Sequence, residues 1–523
     1  MSRKTAVKKT LMPGIVVILV LASAAMPGET RPNILWLFSD DHAFQAIGAY
    51  GGRFEELNLT PHIDSLAKDG MRFDRCYVGN SICAPSRATL LTGKHSHKNG
   101  KLDNRGPFNH NQQQFQKILQ KNGYQTAMIG KIHLDGAMQG FDYWEVLPGQ
   151  GRYWDPVFVT AKGKTQYPKK HSTDVITDRA LNWLKNTRDK TKPFMAMVHY
   201  KAPHRHWEPT TRWKEKFKDK TFPEPATLFD DYQGRGTAAK KQDMSIRTTM
   251  SMKRDVKSDQ PERQAELAKI DKNDTQALVR LKYQWYMRDY LACIAGVDES
   301  VGRLLAYLKE SGLDKNTIVM YCADQGFYLG EHGWFDKRFM YEESFRAPFL
   351  VRWPGVVKPG SVNKDLVQNI YFAETFLAMA GVPAPEDMQG KSLVPLMKGQ
   401  TPTDWRKSLY YHYYEYPAVH SVRRHEGVAT ARYKLIRFYG QDVPNGEEWE
   451  LYDLKNDPSE MKSVYADPAN EQRIEALKEE LLRLRKYYEV PKNHGHGELK
   501  LKTKNRDKRS KKNNDKNKKR KKQ

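Results

Sequence analysis

The sequence predicts an α/β protein: a large mixed, mostly parallel sheet flanked by helices, then a small antiparallel sheet carrying one helix. Three observations lead there. Short apolar runs such as Asn33-Ile34-Leu35-Trp36-Leu37-Phe38 and Thr317-Ile318-Val319-Met320-Tyr321 lack polar alternation, as strands buried on both faces do. Such runs alternate with helical stretches over residues 25–395, the pattern of a wound sheet. After Trp405 the character changes to aromatic, strand-like segments closed by one helical Leu repeat.

Taken in order, residues 1–24 open with a basic stretch, Ser2-Arg3-Lys4 through Lys8-Lys9. An apolar run from Leu11 to Val20 follows, and then Leu21-Ala22-Ser23-Ala24. This is the layout of a secretory signal with a small-residue cleavage site, and it predicts export to the periplasm or the medium. An uncleaved anchor is the competing reading, but the run is short for a membrane span.

The first strand ends in Ser39-Asp40-Asp41 and the later one in Asp324-Gln325-Gly326. Ligands in open α/β sheets collect at the carboxyl ends of strands, so the two acidic pairs can share one crevice. Alone, an Asp-Asp after a strand is ordinarily a solvated turn. Together, three carboxylates and an amide oxygen make a hard, all-oxygen set that suits Ca²⁺ better than Zn²⁺.

Between them, Thr60-Pro61-His62-Ile63-Asp64 begins a capped helix. Thr126-Ala127-Met128-Ile129 runs into Gly130-Lys131-Ile132-His133, and the strand-like Phe194–His199 leads to Pro203-His204. Residues 222–278 break the pattern with a polar, charge-rich stretch, read either as an insertion near the site mouth or as a solvated excursion. Leu329-Gly330-Glu331-His332-Gly333-Trp334-Phe335-Asp336-Lys337 follows the second acidic pair.

The segment 396–490 reads as the small subdomain: strands from Ser408, at Tyr433–Tyr439 and Glu448–Asp453, then a helix from Ile474 to Tyr487. Residues 491–523 carry fifteen Lys or Arg against three acids, +12 of the formal +25. With almost no apolar residue, this tail is predicted to bury no core. Export argues against nucleic acid as its partner, and a polyanion such as a sulfated polysaccharide suits its charge. The four cysteines, Cys76, Cys83, Cys293 and Cys322, exclude a disulfide-stapled scaffold.

Cys83-Ala84-Pro85-Ser86-Arg87, followed by Leu91-Thr92-Gly93, resembles the maturation signature of the type I sulfatases. The resemblance implies an alkaline-phosphatase-like fold and the oxidation of Cys83 to formylglycine by a formylglycine-generating enzyme. The hydrated aldehyde would then attack the sulfur of a sulfate ester at a Ca²⁺ site. It implies that Asp40, Asp41, Asp324 and Gln325 hold the metal, with Gln325 where the family often has Asn. Arg87 would support the formylglycine, Lys131 and Lys337 would clamp the sulfate oxygens, and His133 would hold the diol and take its proton. His204 would protonate the leaving oxygen. The chemistry suits these types: histidine titrates near neutrality, and fixed cations stabilise charge building on oxygen. His199 and His332 are read as structural.

Tyr410-Tyr411-His412-Tyr413-Tyr414-Glu415-Tyr416-Pro417, with His420-Ser421-Val422-Arg423-Arg424-His425, resembles N-acetylglucosamine-6-sulfatases and related bacterial carbohydrate sulfatases. It implies a sulfated glycan substrate, with the 6-O-sulfate of N-acetylglucosamine as the bond cleaved. His420, Arg423, Arg424 and His425 become candidates for the pocket wall, and Tyr410–Tyr416 are read mainly as packing. Other sulfated polysaccharides, such as galactans or fucans, remain open. So do a phosphate or phosphonate ester hydrolase, which would normally carry Thr or Ser at position 83, and a non-catalytic glycan-binding homologue that keeps the thiol.

Overall fold

In a computed structural model, the protein is described over residues 31–492 except residue 272; the predicted signal and basic tail lie outside the described residues. The chain opens with β1 (Asn33–Ser39), α1 (Pro61–Lys68) and β2 (Met71–Phe73), then α2 (Cys83–Thr92). One half of the sheet follows: β3 (Gln125–Lys131), β4 (Tyr143–Leu147), β5 (Val157–Thr160) and β6 (Gly163–Gln166). Next come α3 (Ser172–Asn182), β7 (Phe194–Tyr200), the long α4 (Thr275–Glu310) and β8 (Thr317–Ala323). The lobe closes with β9 (Phe349–Arg352), β10 (Ser361–Asn363) and α5 (Phe372–Met379).

These strands form one ten-stranded sheet in the order β10-β2-β9-β8-β1-β7-β3-β4-β5-β6. The centre, β8-β1-β7-β3-β4, is parallel, and antiparallel strands flank it on both sides. β1 is fully buried, and its alternate side chains feed two cores. Leu35 and Leu37 join a cluster with Tyr290, Leu291 and Ile294 of α4. Ile34, Trp36 and Phe38 point the other way, toward Ala88 and Leu91 of α2 and Phe372 and Phe376 of α5. Helices thus cover both faces, which is why the strand sequence is apolar without alternation.

Local signals set the helix ends. The Asp274 carboxylate accepts from Gln276 N–H and Ala277 N–H and starts α4. Gly93, at φ +65°, ends α2; a Cβ there would fall 2.9 Å from a Glu374 carboxylate oxygen. The Thr-Gly that follows the cysteine motif is therefore a helix stop that only glycine fits comfortably.

The C-terminal sheet has four antiparallel strands in sequence order: β11 (Ser408–Tyr413), β12 (His425–Thr430), β13 (Tyr433–Tyr439) and β14 (Glu447–Asp453). α6 (Glu471–Tyr487) packs on it through Ile474, Leu477, Leu481 and Leu484. The sequence reading has three of these strands and lacks β12, whose first residue it assigns to the pocket instead. Residues 222–271 hold only short helices, 237–241 and 261–267, and no strand.

Candidate active site

Register brings the acidic pairs together. β1 and β8 run parallel with Asn33 opposite Thr317 and Ser39 opposite Ala323, so Asp40 and Asp324 leave the two strands side by side. The Asp41 N–H donates to Asp324 Oδ1 (3.0 Å), and Asp41 sits in the left-handed region at φ 63°. A non-glycine residue is uncommon there, and the Tyr290 hydroxyl secures it by donating to the Asp41 carbonyl (2.7 Å).

α2 enters from the opposite side and presents Cys83 at its first turn. Cys83 Sγ lies 3.4 Å from Asp40 Oδ1 and 3.4 Å from Lys337 Nζ, fully buried. Burial first, and then Asp40, pushes the thiol well above its ordinary range. One turn on, Arg87 donates to Asp324 Oδ2 (3.1 Å) and to the Lys131 carbonyl (2.7 Å), and its NH2 lies 3.4 Å from Asp40 Oδ2. Ser86 belongs to the motif for a structural reason: its hydroxyl accepts from Asn369 (2.9 Å) and donates to the Asp324 carbonyl (2.5 Å).

The two lysines complete the ring of charge. Lys131, at the end of β3, pairs with Asp40 Oδ2 and reaches Gln150 Oε1 (2.5 Å). Lys337 Nζ lies 2.5 Å from Asp41 Oδ1. Burial would raise Asp40, but Lys131 and Arg87 outweigh it and hold its carboxyl well below the usual range. Burial lifts Asp41 to about 7 and Asp324 to about 6 against their lysine and arginine neighbours.

Asp40, Asp41, Cys83 and Asp324 offer donor atoms that all lie within 4.8 Å of one another. Asp41 Oδ2 and Gln325 Oε1 are buried without a hydrogen bond. Gln325 Nε2 contacts Asp41 Oδ1 (2.5 Å), Asp324 Oδ1 (2.8 Å) and the cysteine sulfur (3.9 Å), so the amide belongs to the cluster. Carboxylates crowded this closely need countercharge, and orphaned oxygens of this kind fit a hard divalent cation.

His204 reaches in from the loop after β7. Its Nε2 lies 3.8 Å from Asp41 Oδ2, and its Nδ1 lies 2.5 Å from the Arg205 carbonyl. A carbonyl only accepts, so Nδ1 carries the proton and the other nitrogen faces the reaction centre. The Tyr153 hydroxyl donates to the His204 carbonyl (2.6 Å). Burial first, then Lys131, holds the imidazole well below its ordinary range. His133 shares the electrostatic environment of Lys131, Asp40, Arg87 and Lys337; burial, then Lys131, lowers it to about 2, and its Nδ1 is buried without a partner.

All ten residues expected for metal and catalysis therefore lie in one cluster or at its edge. The four expected on the pocket wall divide. His420 is at the rim: its Nε2 lies 3.1 Å from Asp336 Oδ2 and 3.2 Å from Arg205 NH1. Arg423 turns away to Thr237 and lies 4.0 Å from Glu448. Arg424 donates to the backbone carbonyls of Tyr414 (3.3 Å) and Tyr416 (2.5 Å). His425 is a sheet residue with no exposed surface, bonded to Met340 N–H (3.1 Å) and the Arg423 carbonyl (2.8 Å) and stacked on Tyr411. Its place is the core, because position 425 begins β12 with its side chain inward.

Other residues take the rim instead. Asp336 meets His420 and lies 3.2 Å from Arg338 Nε; Arg338 pairs in turn with Glu415 (2.7 Å). Arg205 forms a two-pronged pair with Asp255 (2.8 and 2.8 Å), and His206 Nδ1 reaches the same carboxylate (2.6 Å). Residues 222–271 thus pack against the site mouth through Asp255, and the Asp243 N–H donates to the His420 carbonyl (2.7 Å). The sequence signals were adjacency alone: Asp336 and Arg338 flank Lys337, and Arg205 follows His204. The two histidines read as structural are so placed, His199 stacked on Phe38 and His332 bonded to Asp230 (2.9 Å).

Comparison with known proteins decides the family. Residues 32–382 match the sulfatase family, and residues 330–487 match the C-terminal part of N-sulphoglucosamine sulphohydrolase. The chain belongs to the sulfatase family. This sulfatase is 48% identical over 510 residues to an N-acetylglucosamine-6-O-sulfatase of Bacteroides thetaiotaomicron, covering 90% of each chain. It is 26% identical over 413 residues to the N-acetylglucosamine-6-sulfatase of Homo sapiens, covering 74% of this chain and 68% of that one. A solved structure of a protein in complex with its substrate D-glucosamine-2-N,6-O-disulfate matches with a TM-score of 0.83 at 47% identity, covering 88% of this chain and 98% of that one. The sulfatase is a sulfuric ester hydrolase with the alkaline-phosphatase-like architecture, extended by the small antiparallel sheet.

Proposed function

We propose that this sulfatase removes the 6-O-sulfate from N-acetylglucosamine or N-sulfoglucosamine units of a sulfated glycan. The carrying observation is the position of Cys83, whose sulfur stands within 3.4 Å of both Asp40 and Lys337 in the carboxylate cluster. The sugar rests on the 48% identical relative and on the ligand in the matching complex.

Formylglycine made from Cys83 supplies, once hydrated, an oxygen nucleophile for sulfur, and Ca²⁺ held by Asp40, Asp41, Asp324 and Gln325 supplies charge that polarises the sulfate. The chain's own groups do the rest. Lys131 and Lys337 flank position 83 and hold the sulfate oxygens, stabilising the charge that grows as S–O breaks. Arg87 ties α2 to Asp324 and Asp40, fixing the nucleophile position against the metal ligands. His204 Nε2 donates the proton to the departing sugar oxygen. Burial first, then Lys131, holds the imidazole neutral; a seated sulfate would offset the lysine's part, and the Arg205 carbonyl would support the charged ring through Nδ1. His133, which shares the electrostatic environment of Lys131 and Asp40, would take the nucleophile's proton. Asp336 and His420, paired next to Lys337, would meet the sugar hydroxyls.

Sulfate release from N-acetylglucosamine-6-sulfate, compared with 3-sulfated glucosamine and sulfated galactose, tests the reading. Release confined to the 6-sulfated glucosamines supports it. Release only from another sugar would keep the sulfatase and discard the substrate.

We also propose export, on the basic and apolar start of the chain, and contact of residues 491–523 with a polyanion, on their charge. Among the described residues no helix is long and apolar enough to cross a membrane. Unchanged retention on a polysulfated matrix at low salt after deletion of 491–523 would remove the second proposal.

A further inference from the structure

Away from the catalytic cluster, a groove of about 720 Å³ opens between the start of β11, the β12–β13 turn and one face of α6. None of the catalytic or metal-site residues lines it. Its wall combines five cations, Lys391, Arg406, Lys407, Arg473 and Arg483, with two acids, Asp404 and Glu480. The acids are already engaged: Asp404 with Lys391 (2.6 Å) and Glu480 with Arg483 (2.6 and 2.8 Å). Arg406, Lys407 and Arg473 have no carboxylate partner among the described residues. Arg406 donates to the Tyr488 hydroxyl (2.5 Å), Arg473 lies 4.3 Å over the Tyr433 ring, and Lys407 is exposed.

Aromatic rings alternate with these charges. Trp405, Tyr433, Tyr487 and Tyr488 line the groove; Trp405 and Tyr488 are buried beneath it, and Tyr487 leaves 57% of its surface to solvent at the end of α6. An exposed ring, Tyr487, beside unpaired cations is the chemistry that receives a sugar face together with its sulfate groups. The chain then leaves the groove at Tyr488 toward residues 491–523, with their fifteen Lys or Arg against three acids. Like charge makes that tail a poor occupant of the groove.

We propose that this groove is a second binding site for a sulfated glycan chain, which holds the polymer while a terminal residue occupies the catalytic site. The ligand class rests on the proposed substrate; the groove's geometry does not.

The test uses the full chain carrying Cys83→Ala, so that nothing turns over, and a heparin-derived octasaccharide stripped of 6-O-sulfate. Lys407→Glu with Tyr487→Ala changes two exposed side chains, so folding should persist. The expected result is binding weakened roughly tenfold, with a shallower salt dependence. In the Cys83 background, the same pair should leave kcat/KM on N-acetylglucosamine-6-sulfate unchanged. Octasaccharide binding as tight as the parent's would overturn the groove and leave the tail or the catalytic site as the polyanion contact. A fall in monosaccharide kcat/KM would overturn it too, by showing a general structural effect. Absence of monosaccharide hydrolysis in the parent speaks against the substrate assignment instead, and leaves the binding comparison valid.

Discussion

Lys337 Nζ lies 3.4 Å from Cys83 Sγ and 2.5 Å from Asp41 Oδ1, so one ammonium links the cysteine to the carboxylate cluster. It is buried, and Asp41 above all outweighs that burial to keep its pKa well above the usual lysine value. The charge is buried beside residue 83 and is not a surface ion pair. Lys337→Ala should lower kcat by about 10² to 10³, the range for removing a preorganised charge-stabilising group, while circular dichroism stays unchanged.

The crowded carboxylates make a second prediction. If Ca²⁺ binds the folded cluster and not the unfolded chain, it should raise the melting temperature by a few degrees. EDTA should reverse the shift, and Asp324→Asn should shrink it. Thermal unfolding with and without the ion reads this directly, independent of activity.

His204 predicts a dependence on the leaving group. If it protonates the sugar oxygen, His204→Ala should cost about 10² to 10⁴ in kcat on a glucosamine sulfate. The loss should be much smaller on an aryl sulfate, whose phenolate leaves without a proton. Equal losses on both would assign His204 to binding.

Asp255 acts through others. It is fully buried and holds Arg205 and His206, and Arg205 in turn bonds His204 through its carbonyl. Asp255→Asn should therefore lower kcat more than it raises KM and shift the pH profile of kcat. A drop in stability with an unaltered profile would make it a packing residue.

Asp298 gives a pH dependence outside the catalytic site. It caps α1 by accepting from Ile63 N–H (2.8 Å) and His62 N–H (3.0 Å), and burial lifts its carboxyl from 3.8 to about 7. Between those values the folded protein keeps a proton that the unfolded chain has released. Its contribution is thus full below about pH 4, declines as pH rises and levels off near 7. Asp298→Asn should flatten that part of the stability curve, as urea midpoints across pH 4–8 would read.

How much of this was legible in the sequence follows from what each feature depends on. Strand ends were readable because β1 and β8 are buried on both faces, and their register set Asp40 beside Asp324. The cysteine motif was readable because it resembles a family signature held within eleven residues, 83–93. Cys83 opens a helix, Arg87 and Ser86 bind the Asp324 strand end, and Gly93 stops the helix. β12 was not, because His425-Glu426-Gly427-Val428-Ala429-Thr430 carries a glycine and no apolar alternation, and its inward histidine passes for a polar site residue. Asp255 and Asp336 were also hidden. The first comes from a segment without regular pattern, fifty residues beyond the arginine it holds, and the second sits beside a lysine that drew the functional reading.

The central claim is that position 83 works as an aldehyde and not as a thiol. The most direct measurement is the mass of the peptide containing residue 83, taken alongside sulfate release across preparations made with and without a formylglycine-generating enzyme. The account predicts that activity rises in proportion to the aldehyde fraction and is absent when residue 83 is wholly cysteine. Full sulfate release from protein whose Cys83 remains a thiol would contradict it.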